Sequence, residues 1–292
     1  MEYIIPRVVL AGTNSGCGKT TVTCAILQAL VNRKLKVGAF KCGPDYIDPM
    51  FHSRIIGAKS SNLDLFFFQQ NTLKYLLAKN GSDRDISVIE GVMGFYDGMG
   101  LTTTAASTYE ISQVTQSPVV LVVAAKGASL SILATIQGFL SFFDNQICGV
   151  ILNQCTAMTY SVLEKEIQTR FAGKVQPFGF LPVMPECSLE SRHLGLITAA
   201  ETQGLREKLQ ILAAQAEQTV DLDGLLRLAK ASSPISCKAV KLPCRQEPIR
   251  IAVACDNAFC FYYEDSLDVL REMGAELVPF SQKKQRVCAL QG

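Results

Sequence analysis

Val8-Val9-Leu10-Ala11-Gly12-Thr13-Asn14-Ser15-Gly16-Cys17-Gly18-Lys19-Thr20-Thr21 is an apolar run that breaks into a glycine-rich turn and ends on residues suited to open a helix. A strand, turn and helix in that order aim backbone N–H groups at a polyphosphate, and the helix N-terminus adds a favourable dipole. The candidate nucleotide site is therefore Gly12, Thr13, Asn14, Ser15, Gly16, Cys17, Gly18, Lys19, Thr20 and Thr21. Lys19 would reach the outer phosphates of ATP or a relative, and the Thr20 hydroxyl would ligate Mg²⁺. The usual spacing puts a glycine six residues before the lysine; that position is Thr13, and the glycine is Gly12. The flanking strand and helix favour the nucleotide site over a bland corner.

Outward from this loop, short β-branched runs alternate with helical patterns. Strands are expected at 8–11, 37–41, 86–90, 119–125, 147–153 and 176–180, and helices at 20–32, 103–113, 129–142 and 160–171. This alternation predicts an α/β fold, a parallel sheet with helices on both faces. Ligands of such sheets bind at the carboxyl ends of the strands, where the glycine loop sits. Residues 199–230 have a helical pattern, with Leu205, Leu209, Leu212 and Ala216 on one stripe. The expected organisation is a nucleotide-binding domain over 1–230, a serine- and proline-bearing linker over 231–248, and a second unit over 249–292. That unit offers a strand at 249–254, a helix near 265–273, a strand at 276–280 and a basic, patternless end. Two strands and a helix cannot bury their own core, so the second unit is expected to be incomplete.

Composition narrows the class. The chain has 292 residues, 48% hydrophobic and 18% charged, and a net charge of +2, which gives no electrostatic case for nucleic acid or an anionic membrane. There are eleven cysteines but no Cys-x-x-Cys pair, and only two histidines, which disfavours structural zinc. The N-terminus lacks the pattern of a signal peptide, and the longest apolar stretch is strand-sized. A cytoplasmic protein with reduced, mostly buried thiols is the expectation.

Several acids stand at strand ends. Lys41-Cys42-Gly43-Pro44-Asp45-Tyr46-Ile47-Asp48-Pro49 follows the second strand and leaves Asp45 and Asp48 near the phosphate loop. Two hard carboxylates suit Mg²⁺ held alongside phosphates, although Asp is also a common turn residue. Glu90 closes the third strand before Gly91-Val92-Met93-Gly94-Phe95-Tyr96-Asp97-Gly98. An acid there holds the metal directly or through water, or else is a solvated carboxylate in a glycine-rich turn. Asp97 lies farther out, better placed for a second substrate. Asn153 ends another strand, where it reads an adenine edge or caps the next turn. Arg192 and His193 would greet an anionic substrate, unless His193 is a packed, hydrogen-bonded residue.

Taken together, the glycine loop, residues 41–49, Asn62-Leu63-Asp64, residues 90–98, residues 149–153 and residues 191–196 resemble the cobyrinic acid a,c-diamide synthases. The resemblance runs in order over about residues 7–280, and the displaced glycine is shared with dethiobiotin synthetase, a relative in fold. It implies a P-loop synthetase that amidates the a- and c-acetate carboxylates of cobyrinic acid, a corrinoid, during cobalamin biosynthesis. ATP and Mg²⁺ would form an acyl phosphate, and ammonia would displace the phosphate. The resemblance gives Lys41, Asp45, Asp48 and Glu90 catalytic or metal-binding roles, with Thr20, Asp45 and Glu90 as the metal set. Lys41 would stabilise the transferring phosphoryl group, and Asp97 would face the tetrapyrrole.

In that family ammonia comes from glutamine through a C-terminal class I amidotransferase domain. Residues 249–263 and 274–281 are similar to its opening, and the pattern departs from Gln282 onward, so a truncated glutaminase and dependence on free ammonia are expected. Cys255, Cys260 and Cys288 lie too early to be its nucleophile. Ala124 stands where many relatives carry an aspartate. A nickel-sirohydrochlorin a,c-diamide synthase shares these motifs and is the second reading. A partner-switching ATPase of the MinD and ParA type is the third, but Asn14 occupies the place of its second lysine. The relatives' tendency to pair allows a homodimer.

Overall fold

The computed structural model describes residues 1–187, 199–243, 247, 249–256 and 258–281. In chain order its elements are β1 (Glu2–Tyr3), β2 (Arg7–Gly12), α1 (Lys19–Asn32), β3 (Val37–Cys42), α2 (Ile47–Phe51) continued by a π-helical turn (His52–Ile56), β4 (Lys59–Leu63), α3 (Gln70–Gly81) and β5 (Ile86–Glu90). Next come α4 (Thr108–Thr115), β6 (Val119–Ala124), α5 (Ser131–Phe142), β7 (Ile147–Asn153), α6 (Ala157–Phe171) and β8 (Gln176–Leu181). The described remainder is α7 (Ala199–Thr219), α8 (Leu222–Lys230), β9 (Ile235–Ser236), β10 (Ile249–Ala254), α9 (Glu264–Glu272) and β11 (Ala275–Phe280).

Seven parallel strands form one sheet in the order β4-β3-β5-β2-β6-β7-β8. Every residue of β2 is buried, as expected for a central parallel strand covered on both faces. Alternation along it feeds two cores. Val8 and Leu10 face α1, α7 and α8, while Val9 and Ala11 join α3, α4, α5 and α6. The α7 stripe is buried at Leu209, Leu212 and Ala216, with Leu205 partly buried beside it. After β2 the chain builds β3 and β4 on one side, then crosses to β6, so the phosphate loop stands at the switch in strand order.

Some elements differ from expectation, each for a local reason. The helix expected at 103–113 begins at Thr108, because the Ser107 side chain caps it by accepting from the Glu110 amide, and Glu110 Oε2 in turn accepts from the Ala106 amide just before the cap. The helical stretch 199–230 breaks before Asp221, whose Oδ1 caps α8 through the Gly224 amide at 2.7 Å. β4 is an edge strand of mixed polar sequence, Lys-Ser-Ser-Asn-Leu, and α3 carries weak periodicity. Residues 231–237, assigned to a linker, are held against the first domain. Ile235 in β9 pairs with Tyr3, and Ser232 donates to the Arg7 carbonyl.

Arg7 secures that corner. Its fully buried guanidinium donates to the carbonyls of Ile5, Thr115, Gln116 and Ser233 and to the Ser117 hydroxyl. Burial lowers its pKa to about 10, so it stays charged at neutral pH against the electron-rich end of α4.

The second unit contributes a parallel β10–β11 pair and α9. Tyr263 stacks on Tyr46 with centroids 4.3 Å apart, Asn80 Nδ2 donates to Asp265 at 2.8 Å, and Lys79 pairs with Glu272 at 2.7 Å. The loop after β3 is thereby touched from the C-terminal side. Among the described residues no helix is long and apolar enough to cross a membrane.

Thiol reactivity follows from this packing. Cys24 and Cys42 are fully buried, and burial pushes Cys42 up to about 12 and Cys24 well above the ordinary thiol range, whereas Cys255 is exposed. Brief iodoacetamide treatment at about pH 8, near the ordinary thiol pKa, should label Cys255 and spare Cys24 and Cys42 on peptide mapping. Labelling of Cys24 at the rate of Cys255 in the folded chain would contradict this core.

Candidate functional site

The phosphate loop is shaped by its glycines. Gly16 and Gly18 hold φ of 83° and 86°, a left-handed conformation that side-chain-bearing residues rarely adopt. Gly12, the shifted glycine, leaves no room for a Cβ because the Cys17 sulfur fills that space. Gly18 then starts α1 with no side chain capping the helix, so its first N–H groups are available to an anion. Lys19 is largely buried at the first helical position. Thr13 and Asn14 join through a 2.9 Å hydrogen bond, and Asn14 Nδ2 donates to the Ser15 carbonyl.

Behind the loop lies a buried cluster of charge. Thr20 Oγ1 donates to Glu90 Oε1 at 2.8 Å. Lys41 Nζ lies 3.1 Å from the same oxygen, 2.5 Å from Asp48 Oδ2 and 3.4 Å from the Gly91 carbonyl. His52 Nε2 approaches Glu90 Oε2 at 3.1 Å. Parallel pairing sets this up, since β3 and β5 place Lys41 beside Glu90 in register. Burial would raise Glu90, but Lys41, His52 and Lys19 hold it well below the ordinary carboxylate range. Burial would lower Lys41, and Glu90 and Asp48 override it and drive the ammonium pKa up. Asp48 goes the other way, raised by burial and by Glu90 against the pull of Lys41. The solvated-carboxylate alternative for Glu90 fails, since the side chain is completely buried.

The other candidates are placed less uniformly. Asp45 spends Oδ1 on the amides of Ile47 and Asp48, at 2.8 and 3.2 Å, and so starts α2; its charge still reaches Lys41. Asn62 Nδ2 bridges the Gly43 and Asp45 carbonyls and fixes that turn. Asn153 Nδ2 donates to the Cys17 carbonyl at 2.9 Å, and a Cβ at Gly18 would overlap its amide, so it props the loop from behind. It does not cap the turn that follows its own strand. Asp97 Oδ2 accepts from the Gly94 amide at 2.8 Å at the mouth of a separate cavity. Arg192 and His193 lie outside the described residues.

His52 had no sequence signal, because a lone histidine carries none. Its π-helical turn is what brings it under Glu90. Among the described residues no three His, Cys, Asp or Glu side chains could hold a metal by themselves. The donor set nevertheless suits Mg²⁺ bound with phosphates: a threonine hydroxyl and a carboxylate, in a cluster where Asp48 and Glu90 outnumber Lys41. Glu90→Gln should weaken the Mg²⁺-dependent part of ADP binding by about tenfold or more in calorimetry. An unchanged Mg²⁺ dependence would remove Glu90 from the metal shell.

Residues 8–196 match the family profile described as the CobQ/CobB/MinD/ParA nucleotide binding domain. The chain is 42% identical over 278 residues to a cobyrinate a,c-diamide synthase of Thermoplasma volcanium, covering 95% of this chain and 60% of that protein. It is likewise 42% identical over 278 residues to one of Listeria innocua, covering 94% of this chain and 61% of that one. This chain thus spans about 60% of the length of the curated relatives it matches. Among solved structures, the MinD cell division protein of Aquifex aeolicus superposes with a TM-score of 0.45 at 16% identity, over 80% of this chain and 99% of that one.

Proposed function

The chain belongs to the CobQ/CobB/MinD/ParA nucleotide-binding family, and from that premise we propose that it carries out ATP-dependent amidation of the a- and c-acetate carboxylates of cobyrinic acid. The observation that carries the reading is the Thr20–Glu90–Lys41–Asp48 cluster behind the phosphate loop, with Lys41 and Glu90 buried at its centre. It supplies a lysine whose ammonium is held charged beside the loop at which, in this reading, a phosphoryl group would leave ATP.

A carboxylate resists attack by an amine because its leaving group would be an oxide. In the proposed reaction a substrate carboxylate oxygen attacks the γ-phosphorus, the bond to the β,γ-bridging oxygen breaks, and ADP departs. Ammonia then adds its lone pair to the acyl carbon, phosphate leaves with the bonding pair, and the added nitrogen loses a proton. Lys19 and the N–H groups of the loop would hold the β- and γ-phosphates, and Lys41 would neutralise charge on the transferring group. Asp48 would keep Lys41 aimed, and Asn153 would hold the loop in shape. Thr20 and Glu90 would hold Mg²⁺, which when bound withdraws charge from the phosphates. Asp45 is proposed as a further acid near that metal, and Arg192 and His193 as contacts for an anionic substrate. Positioning and charge neutralisation then carry most of the catalysis.

The domain assignment follows the same reading. Residues 1–230 are proposed as the synthetase domain, and residues 249–292 as sequence akin to the start of a glutamine amidotransferase domain. The acyl phosphate is the step to test. Hydroxylamine added to the chain with ATP, Mg²⁺ and cobyrinic acid should trap a hydroxamate that is absent when ADP replaces ATP. Turnover of ATP with cobyrinic acid and no trapped hydroxamate would sink the acyl-phosphate step.

A further inference from the structure

A cavity is lined by the segment that follows β5 and packs on the phosphate loop. The segment after β5 packs on the loop itself: the Phe95 amide donates to the Gly12 carbonyl at 2.8 Å, and a Cβ at Gly94 would crowd the Thr13 carbonyl. From there the chain encloses a space of about 690 Å³ walled by Met93, Tyr96, Asp97, Leu101, Phe142 and Phe143. That volume is in the range of small-molecule sites, about 300–1,000 Å³. A space of similar size, about 700 Å³, lies beyond Phe143 among residues such as Ile147 and Lys174, and touches no loop that follows a strand.

One side of the wall is aromatic and closely packed, while Asp97 and Thr102–Thr104 form its polar part. Phe142 and Phe143 are 65% and 44% exposed, and Leu101 is fully exposed. The two rings meet edge to face at 4.6 Å, and each lies within 5.5 Å of Tyr96. Tyr96 is fixed in turn: its hydroxyl donates to the Phe139 carbonyl at 2.6 Å and accepts from Asn145 Nδ2. Scattered exposed apolar residues need no explanation, but a braced aromatic platform walling a cavity beside a phosphate site does. No lysine, arginine or histidine lines the space, so it is unsuited to a ligand's carboxylates.

We propose that this cavity takes the apolar face of a macrocyclic polycarboxylate substrate, with Phe142 and Phe143 as the floor and Leu101 as the facing arm. One carboxylate arm would pass Met93 to the phosphoryl group, and the remaining arms would stay in solvent. The inference rests on the amidation reading and adds the residues that read the ring.

The chain has no tryptophan, so Phe142→Trp installs a single reporter on the floor. Titration of the ADP- and Mg²⁺-loaded chain with cobyrinic acid should quench its emission saturably, since a corrinoid absorbs where tryptophan emits. Phe142→Ser and Phe143→Ser should each raise KM for cobyrinic acid about tenfold and leave KM for ATP within about twofold, as expected for a fully packed aromatic contact. Absence of saturable quenching overturns the assignment, whether or not amide forms. A concentration-dependent loss of self-association in Phe142→Ser with KM unchanged also overturns it, and makes the patch an interface between two copies. Saturable quenching in a chain that forms no amide would keep the cavity and sink the amidation reading instead.

Discussion

Lys19→Ala is expected to lower ATP turnover by roughly three orders of magnitude, the loss of one charged donor from a dry phosphate site. Lys19 opens α1 directly after Gly16 and Gly18, whose left-handed backbone turns the loop N–H groups toward the helix start, and it is largely buried there. Alanine is the best helix former, and no side chain caps this end of α1, so the fold should tolerate the change. Urea unfolding midpoints should therefore match the wild type while turnover vanishes. Turnover within about tenfold of wild type would place the phosphates elsewhere, since one lost donor costs more than that.

The second large effect is at Lys41. Its ammonium sits between half-buried Asp48 and fully buried Glu90, and Lys41→Met would leave two carboxylates without their cation. Breaking a buried pair in this way costs about 3–5 kcal/mol, measurable as a lower urea midpoint. The pH dependence has a definite sign. Asp48 is already raised by burial and by Glu90, and without Lys41 it loses the cation that opposes that rise, so the folded chain binds more protons there and the deficit shrinks as pH falls from neutral toward the carboxylate range. In the wild type Glu90 is held low, and its contribution, present above the ordinary carboxylate pKa, is lost as pH falls toward its folded value. Lys41→Met combined with Asp48→Asn should recover much of the stability but none of the turnover. Recovery of turnover would make Lys41 a structural counter-ion only.

Why some of this was legible in the sequence and some was not has a physical basis. A phosphate loop is a contiguous local device, so its glycines, Lys19 and Thr20 are readable in order. Strands buried on both faces, such as β2 and β6, read as unbroken apolar runs. Glu90 and Lys41 were readable only as strand ends; their contact needs the register of β3 against β5. His52 was invisible, because a π-helical turn that carries a side chain under a neighbouring strand leaves no periodic trace. Asn153 was placed at a strand end, but its partner, the Cys17 carbonyl, is 136 residues away. β4 was missed because an edge strand can be polar, and α3 because its apolar spacing is loose.

The opposite occurs near residue 103, where helical spacing runs past the Ser107 cap that starts α4 at Thr108. The aromatic platform was unreadable for the reason His52 was. Phe142 and Phe143 end α5, and only tertiary packing brings Tyr96 beneath them.

In the proposed reaction, phosphate taken from ATP activates carboxylates of a corrinoid for amidation. The decisive measurement is the mass of cobyrinic acid after incubation with the chain, ATP, Mg²⁺ and ammonium chloride. Two carboxylates should convert to amides, dependent on ATP and not with Lys19→Ala. Cobyrinic acid recovered unchanged, from a chain shown to bind and hydrolyse ATP, would contradict it.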